Sequence, residues 1–234
     1  MRKLIVPAFI SIDGVIQAPG GPEEDTSGGF AYGGWIWPYA DGSGEVMGGV
    51  FSNPFELLLG RRTWDIFATY WPRVPEGAPH RGIAEMFNGT IKHVATHRPD
   101  TLDWRHSHAL GSDIVAAVHR LKRDEGPDLV TQGSSELVRQ LLATELVDEL
   151  RLLVHPILLG QGKRLFDGHV QAAAFRLETS KATSSGVLVN RYVRVGAVRT
   201  GSFEQDRLTP TACAIEMPAA ASISRASEPD LDRP

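Results

Sequence analysis

Three short segments of the sequence combine glycine, hydroxyl and cationic residues in a way that suits phosphate groups. They are Gly60-Arg61-Arg62-Thr63, Thr96-His97-Arg98 and Gly133-Ser134-Ser135. Glycine lets a phosphate approach the backbone, hydroxyls and free N–H groups donate hydrogen bonds, and arginine binds phosphate oxygens in pairs. Together, the three segments indicate a ligand with several phosphates, such as a dinucleotide. The alternative is that they are ordinary solvated turns and helix caps without a ligand.

The first segment lies between two elements of different periodicity. The apolar run Phe55–Leu59 predicts a buried strand, and Gly60 ends it. From Arg62 to Tyr70 the apolar residues recur at helical spacing. The N-terminus of a helix carries unpaired N–H groups and a partial positive charge, so a strand that turns through glycine into a helix predicts an anion site.

The other elements predict how these segments are positioned. Strands are predicted at 4–12, 92–96, 128–131, 147–154, 175–180 and 187–195, and helices at 113–123 (after an N-cap at Ser112) and 135–144. A loop with one helical turn at 83–87 is predicted for residues 72–88. Alternating strands and helices indicate an α/β fold with a mainly parallel sheet, and the last two strands indicate an antiparallel edge. Ligands of such sheets bind at the carboxyl ends of the strands, where all three segments would lie.

Composition narrows the classes of function. The chain has 234 residues, of which 42% are hydrophobic and 22% charged, and these values are typical of a globular protein. A net charge of −4 gives no sign of a nucleic-acid partner, and no apolar run reaches the roughly 18 residues that would span a membrane. We therefore expect a cytoplasmic protein. The single cysteine and eight scattered histidines predict no metal site.

Several motifs resemble known reductases. Gly60-Arg61-Arg62-Thr63-Trp64 resembles the Gly-Arg-x-Thr-Trp turn of dihydrofolate reductases. Residues 11–16, 147–150 and 156–166 resemble the reductase domain of bacterial riboflavin biosynthesis, the RibD C-terminal domain, which shares that fold. The resemblance covers residues 3–195. It implies a dihydrofolate reductase-like three-layer α/β/α domain over residues 1–195, followed by a flexible C-terminal extension over 196–234.

The resemblance also implies a cofactor and a reaction. In these families the turn after the second strand and the turn after the third bind the adenosine phosphate region of NADPH, and the glycine turn before the later helix binds its pyrophosphate. The residues implied here are Gly60, Arg61, Arg62, Thr63, Thr96, His97, Arg98, Gly133, Ser134 and Ser135, with the nicotinamide near Ile12, Asp13 and Gly14. We therefore expect an NADPH-dependent reductase acting on a small pteridine- or ribosylaminopyrimidine-like substrate. The alternative is a non-catalytic, nucleotide-binding dimeric protein on the same fold.

The sequence departs from the dihydrofolate reductase pattern at two places. Those enzymes carry a Gly-Gly pair with a cis peptide before the pyrophosphate helix, where this chain has Gln132-Gly133. They also place a catalytic carboxylate after a tryptophan that follows the first loop. Asp41 and Glu45 are the candidates for that acid here.

Two further expectations concern the surroundings of the site. Residues 17–44 are rich in glycine and aromatic residues, which predicts a lid or a pocket wall rather than a disordered linker. The riboflavin-type relatives commonly pair through the antiparallel side of the sheet, which implies a homodimer formed by 147–154 and 175–195. The competing interpretation is that the C-terminal extension covers the same surface in a monomer.

Overall fold

One sheet of eight strands organises the computed structural model of the protein, which describes residues 1–40, 51–167 and 170–202. The strands are β1 (Leu4–Ser11), β2 (Phe55–Gly60), β3 (Lys92–Ala95), β4 (Ser107–Ala109), β5 (Asp128–Thr131), β6 (Glu149–His155), β7 (Ala174–Ala182) and β8 (Leu188–Gly196). Their lateral order is β4-β3-β2-β5-β1-β6-β8-β7. Strands β1 to β6 run parallel, whereas β8 is antiparallel to both β6 and β7. The expected mainly parallel sheet with an antiparallel C-terminal edge is confirmed.

Helices cover both faces of the sheet. They are α1 (Arg61–Tyr70), α2 (Arg81–Gly89), α3 (Ile114–Arg123) and α4 (Ser135–Ala143), with short 3-10 turns at Ser27–Gly29, Trp37–Tyr39, Trp71–Arg73 and Pro99–Thr101. Where residues 72–88 were expected to form a loop with one helical turn, α2 occupies the second half of that range. The N-cap of α3 is Asp113 rather than Ser112, because the Asp113 carboxylate accepts the Ala116 N–H at 2.9 Å. None of the helices in the described ranges has the length and apolarity to span a membrane.

The alternation of side chains along β2 explains the two cores. Leu57 and Leu59 belong to the cluster that contains Trp64 of α1 and Phe87 of α2. Leu58 points to the opposite cluster, built on α3 and α4. All three leucines are fully buried, as expected of a central strand covered on both faces. The sequence therefore builds three layers, α/β/α.

Residues Met1–Val198 form one compact unit, and Arg199–Pro234 are a second unit of which the structure describes only 199–202. The domain boundary expected after residue 195 stays a prediction.

Candidate nucleotide-binding edge

The three segments with phosphate-binding residue types lie side by side. They follow β3, β2 and β5, which are neighbours in the sheet, and β1 comes next. The register pairs Gly60 with Ala95 and Leu58 with Thr131, so the carboxyl ends of these strands are nearly level. The parallel sheet therefore brings together at one edge residues that are far apart in the sequence.

Hydrogen bonds join the turn after β2 to the turn after β5. The Ser134 hydroxyl accepts the Gly60 N–H at 2.9 Å and lies 3.0 Å from the Thr63 hydroxyl. The Ser134 N–H also donates to Thr63 Oγ1 at 3.2 Å. The two turns therefore form one connected surface, and the hydroxyls of Ser134 and Thr63 bind each other.

The turn after β5 requires glycine at position 133. Gly133 has a left-handed φ of 52°, and a Cβ there would lie 3.2 Å from Thr63 Oγ1. The peptide between Gln132 and Gly133 is trans. Helix α4 begins directly after this turn, and α1 begins after Gly60 with no side-chain cap and no acid in its first turn. Because first-turn N–H groups have no partner within a helix, both helix ends present donors to an anion.

Arg61 connects the turn after β2 to the turn after β3. Its guanidinium donates to the Arg98 carbonyl at 3.2 Å, to Thr96 Oγ1 at 3.4 Å and to Thr101 Oγ1 at 2.5 Å. The Asp65 carboxylate lies 2.9 Å from Arg61 and 3.8 Å from Arg98. Arg61 and Arg98 therefore share the Asp65 carboxylate, and the turn after β3 also carries Asp100 and the exposed side chain of His97.

Arg62 points in the opposite direction, toward β1. Its guanidinium binds the Asp25 carboxylate at 2.6 Å, and Asp25 also binds the Lys163 ammonium at 2.6 Å. Burial opposes ionisation of Asp25, but the hydrogen bonds from Lys163 and Ser27 outweigh it and lower the pKa of Asp25. Adjacent arginines of one turn thus contact different parts of the molecule.

Asp13, just after β1, is held by the loop that follows β6. Its carboxylate accepts the N–H groups of Leu159 at 3.1 Å and Gly160 at 2.8 Å, and the Ser11 hydroxyl at 2.6 Å. Although burial opposes ionisation, these hydrogen bonds lower the pKa of Asp13 from 3.8 to about 2. Asp13 is therefore an ionised link between two loops, whereas its neighbour Ile12 is exposed at the edge.

Part of residues 17–40 packs into a small core next to the end of β1. The buried Gln17 amide donates to the carbonyls of Asp25 and Ser27 at 3.0 and 2.9 Å, and the Trp35 indole donates to the Gln17 carbonyl at 2.8 Å. Val15, Ala18, Phe30 and Trp35 form a small separate core. The catalytic-acid candidates Asp41 and Glu45 lie outside the described residues.

Three further residues at this edge were not predicted as site residues from the sequence. His155, at the end of β6, is buried against the rings of Trp35 and Tyr39, at 5.1 and 5.6 Å, and burial lowers its pKa. Thr131 Oγ1 and Gln132 Nε2 are buried and have no hydrogen-bond partner in the described protein. Unpaired polar atoms of this kind are costly unless a ligand or water satisfies them, and both lie at the end of β5. Their position next to Gly133 fits a polar ligand.

The architecture defines a dihydrofolate reductase-like α/β protein. The family model described as RibD C-terminal domain matches residues 2–189, and the chain belongs to this family, which is of the reductase type. The expected resemblance to that family is therefore confirmed.

Individual relatives agree with this assignment. The uncharacterized protein YyaP of Bacillus subtilis is 25% identical over 189 residues, which are 80% of this chain and 92% of that protein. A crystal structure from Shewanella sp. PV-4, provisionally named a riboflavin biosynthesis protein, has a TM-score of 0.55 at 19% identity and covers 82% of this chain and 98% of that chain. Dihydrofolate reductase from Enterococcus faecalis, complexed with NADP(H), has a TM-score of 0.51 at 14% identity. The match covers 82% of this chain and 96% of that chain. These similarities to solved structures establish the fold.

Proposed function

We propose that the protein is an NADPH-dependent reductase that transfers hydride to a flat, conjugated C=N or C=O group of a pteridine- or ribosylaminopyrimidine-like substrate. The observation that carries the proposal is the direct hydrogen bonding of the turn after β2 to the turn after β5, through Ser134 and Thr63. These bonds join the N-termini of two helices into one continuous surface. Membership of a reductase-type family supports the same conclusion.

The residues at the edge fit a dinucleotide with an additional phosphate. The N–H groups at the start of α4, next to Gly133, would hold the pyrophosphate. Arg61 and Arg98, at the β3 side, would hold the 2′-phosphate, while Arg62, which binds Asp25 on the other side, would contact the pyrophosphate. When bound, the cofactor supplies the hydride. Its nicotinamide end would lie near Ile12, at the end of β1.

The work of the protein is then to position the reactants and exclude water. Residues 17–40, which are held by the buried rings of Phe30 and Trp35, would form one wall of the site. Asp13 is not suited to donate a proton near neutral pH, because its pKa is lowered to about 2. Asp41 and Glu45 are therefore kept as the proposed sources of the proton.

A non-catalytic nucleotide-binding role is the second candidate. Three carboxylates at the edge favour this role because each already binds a cationic side chain. They are Asp13, Asp25 and Asp65. Such a protein would use the phosphate-binding turns without needing a proton donor. Only catalysis distinguishes the two candidates, because both predict nucleotide binding.

The experiment measures binding first and turnover second. NADPH is titrated into the protein by calorimetry, and candidate pteridines and ribosylaminopyrimidines are then added while nicotinamide absorbance is followed. Saturable binding with substrate-dependent loss of absorbance is expected. Binding without turnover on any substrate of these classes would favour the second candidate, and the absence of binding would contradict both.

We also propose a homodimer formed through β6, β8 and β7. Leu177 and Leu188 on the two antiparallel strands are exposed, and most of β7 faces solvent in the single chain. Val187 is buried and Tyr192 packs against the main core, so these two apolar side chains are not available for the contact. A two-fold contact would still cover the outer edge of β7, since exposed strand edges promote association.

A further inference from the structure

The ion pairs of Asp25 span the candidate cofactor edge. Arg62 lies in the first turn of α1, directly after β2, and Lys163 lies in the loop that follows β6. In the sheet, β5 and β1 lie between β2 and β6. A single carboxylate, bonded at 2.6 Å to each of the two cations, therefore links the start of α1 to the loop after β6.

The burial of the three side chains is unequal. The Asp25 side chain is only 10% exposed, whereas Arg62 is 59% exposed and Lys163 is 40% exposed. Asp25 is also held from its own loop, because Oδ1 accepts the N–H and the hydroxyl of Ser27. The anion is thus fixed in the protein, while both cations remain open to an external ligand.

A cavity lies directly beside this bridge. It has a volume of about 270 Å³ and is lined by Lys163, Gln161 and Gly162 on one side and by Gln17, Ser27 and Phe30 on the other. Its walls come from the same two segments that Asp25 and Lys163 connect. A phosphate group therefore has space next to Lys163, whereas Arg62 and Asp25 are not among the residues that line the cavity.

We propose that Arg62 and Lys163 form a phosphate subsite in which the Asp25 carboxylate takes the place of a ligand phosphate. The ligand class is a pyrophosphate ester, and in this respect the inference rests on the proposed function. A phosphate entering the subsite competes with Asp25 for both cations. Asp25 therefore weakens anion binding, and Lys163 is a binding residue that the phosphate-binding turns do not include.

The physical basis is the local balance of charge. In the present arrangement the Asp25 carboxylate binds both cations, and the neighbouring Glu24 carboxyl group is close enough to interact with Asp25. Replacing the carboxylate by an amide removes the competitor and leaves both cations for the ligand. The amide oxygen introduced by Asp25→Asn could still accept the two hydrogen bonds from Ser27, so the loop keeps its local structure.

The test is calorimetric titration of inorganic pyrophosphate and of NADPH into the full chain and the variant Asp25→Asn. We expect the variant to bind pyrophosphate about tenfold more tightly and to lose more affinity when salt is added. Glu85→Gln, which removes the same charge from an ion pair with Arg81 within α2, is the matched control and should leave affinity unchanged. Equal or weaker binding by Asp25→Asn would overturn the proposal.

A second variant keeps the test independent of the stability of the Asp25 loop. Lys163→Met should weaken pyrophosphate binding about tenfold in a protein that still folds and unfolds cooperatively. Unchanged affinity in this variant would also overturn the proposal. If Asp25→Asn binds pyrophosphate more tightly but no substrate oxidises NADPH, the reductase proposal fails and the subsite stands. If NADPH is oxidised but neither variant changes pyrophosphate affinity, the subsite fails and the reductase stands.

Discussion

Asp13 offers a quantitative test of the loop arrangement at the edge. In Asp13→Asn an NH₂ group replaces one carboxylate oxygen, so at least one of the N–H donors of Leu159 and Gly160, or the Ser11 hydroxyl, loses its acceptor. Hydrogen bonds to a charged group contribute about 1.5–3 kcal/mol each and are not additive. We therefore expect the variant to lose about 2–3 kcal/mol of unfolding free energy near pH 7, as measured by urea denaturation.

The dependence of stability on pH tests the same hydrogen bonds of Asp13, and its direction follows from the pKa. The pKa of Asp13 is about 2 in the folded protein, below its ordinary value of 3.8. The stabilisation by its carboxylate is thus complete above pH 3.8 and is lost as the pH falls toward 2. Within this window the wild type should lose up to about 1.4 kcal/mol per pH unit relative to the variant.

Comparison of the two proteins at each pH removes the contribution of other carboxylates. Asp103→Asn, at an exposed position, is the matched control and should change stability by less than about 0.5 kcal/mol. A variant as stable as wild type at pH 7, or a difference that stays constant as the pH falls through this window, would refute the structural role of Asp13. Asp13 would then again be available as a ligand-binding residue.

Three other predictions concern the cofactor and the assembly. Gly133→Val should reduce NADPH affinity at least about tenfold by calorimetry, because its side chain would meet Thr63 Oγ1 and block the pyrophosphate position. Arg61→Met should weaken NADPH more than NADH, whereas Arg62→Met should weaken both to a similar degree, because only Arg61 faces the β3 side. Light scattering should give a dimer both for the full chain and for a chain ending at Val195.

The controls for these predictions are available in the same chain. Gly82→Val in α2, where an added Cβ meets no other atom, should leave NADPH affinity unchanged. A Gly133→Val protein with full affinity would move the pyrophosphate elsewhere. Equal losses of NADPH and NADH in Arg61→Met would show that Arg61 does not recognise the 2′-phosphate. A monomeric full chain that dimerises after truncation would show that the C-terminal extension covers the interface.

The central strands could be predicted because their apolar residues and the residues that end them give the same boundaries. The bounds of β5 agree with the prediction, and β1 and β2 differ from it by one residue, since each is an apolar run ended by polar or glycine residues. Strand β4 has three residues, lies at the sheet edge and carries no apolar pattern, so nothing in the sequence marked it. The sequence predicts only one helical turn where α2 lies, because Gly82 and Gly89 near the ends of the helix have low helix propensity.

At the site, residue types were predictable but side-chain directions were not. The sequence grouped Arg61 with Arg62, yet one contacts Arg98 and the other contacts Asp25. Asp25 and Lys163 are 138 residues apart, and their pairing depends on how two loops pack after β1 and β6. Long-range contacts of this kind follow from the tertiary fold rather than from local patterns.

The most direct test of the account is a crystal structure of the protein with NADPH. We predict the pyrophosphate at the first turn of α4, beside Gly133, with the 2′-phosphate within reach of Arg61 and Arg98. A cofactor bound at any other place, or a saturating NADPH soak that leaves this edge without the nucleotide, would contradict the claim that the joined turns form a dinucleotide site.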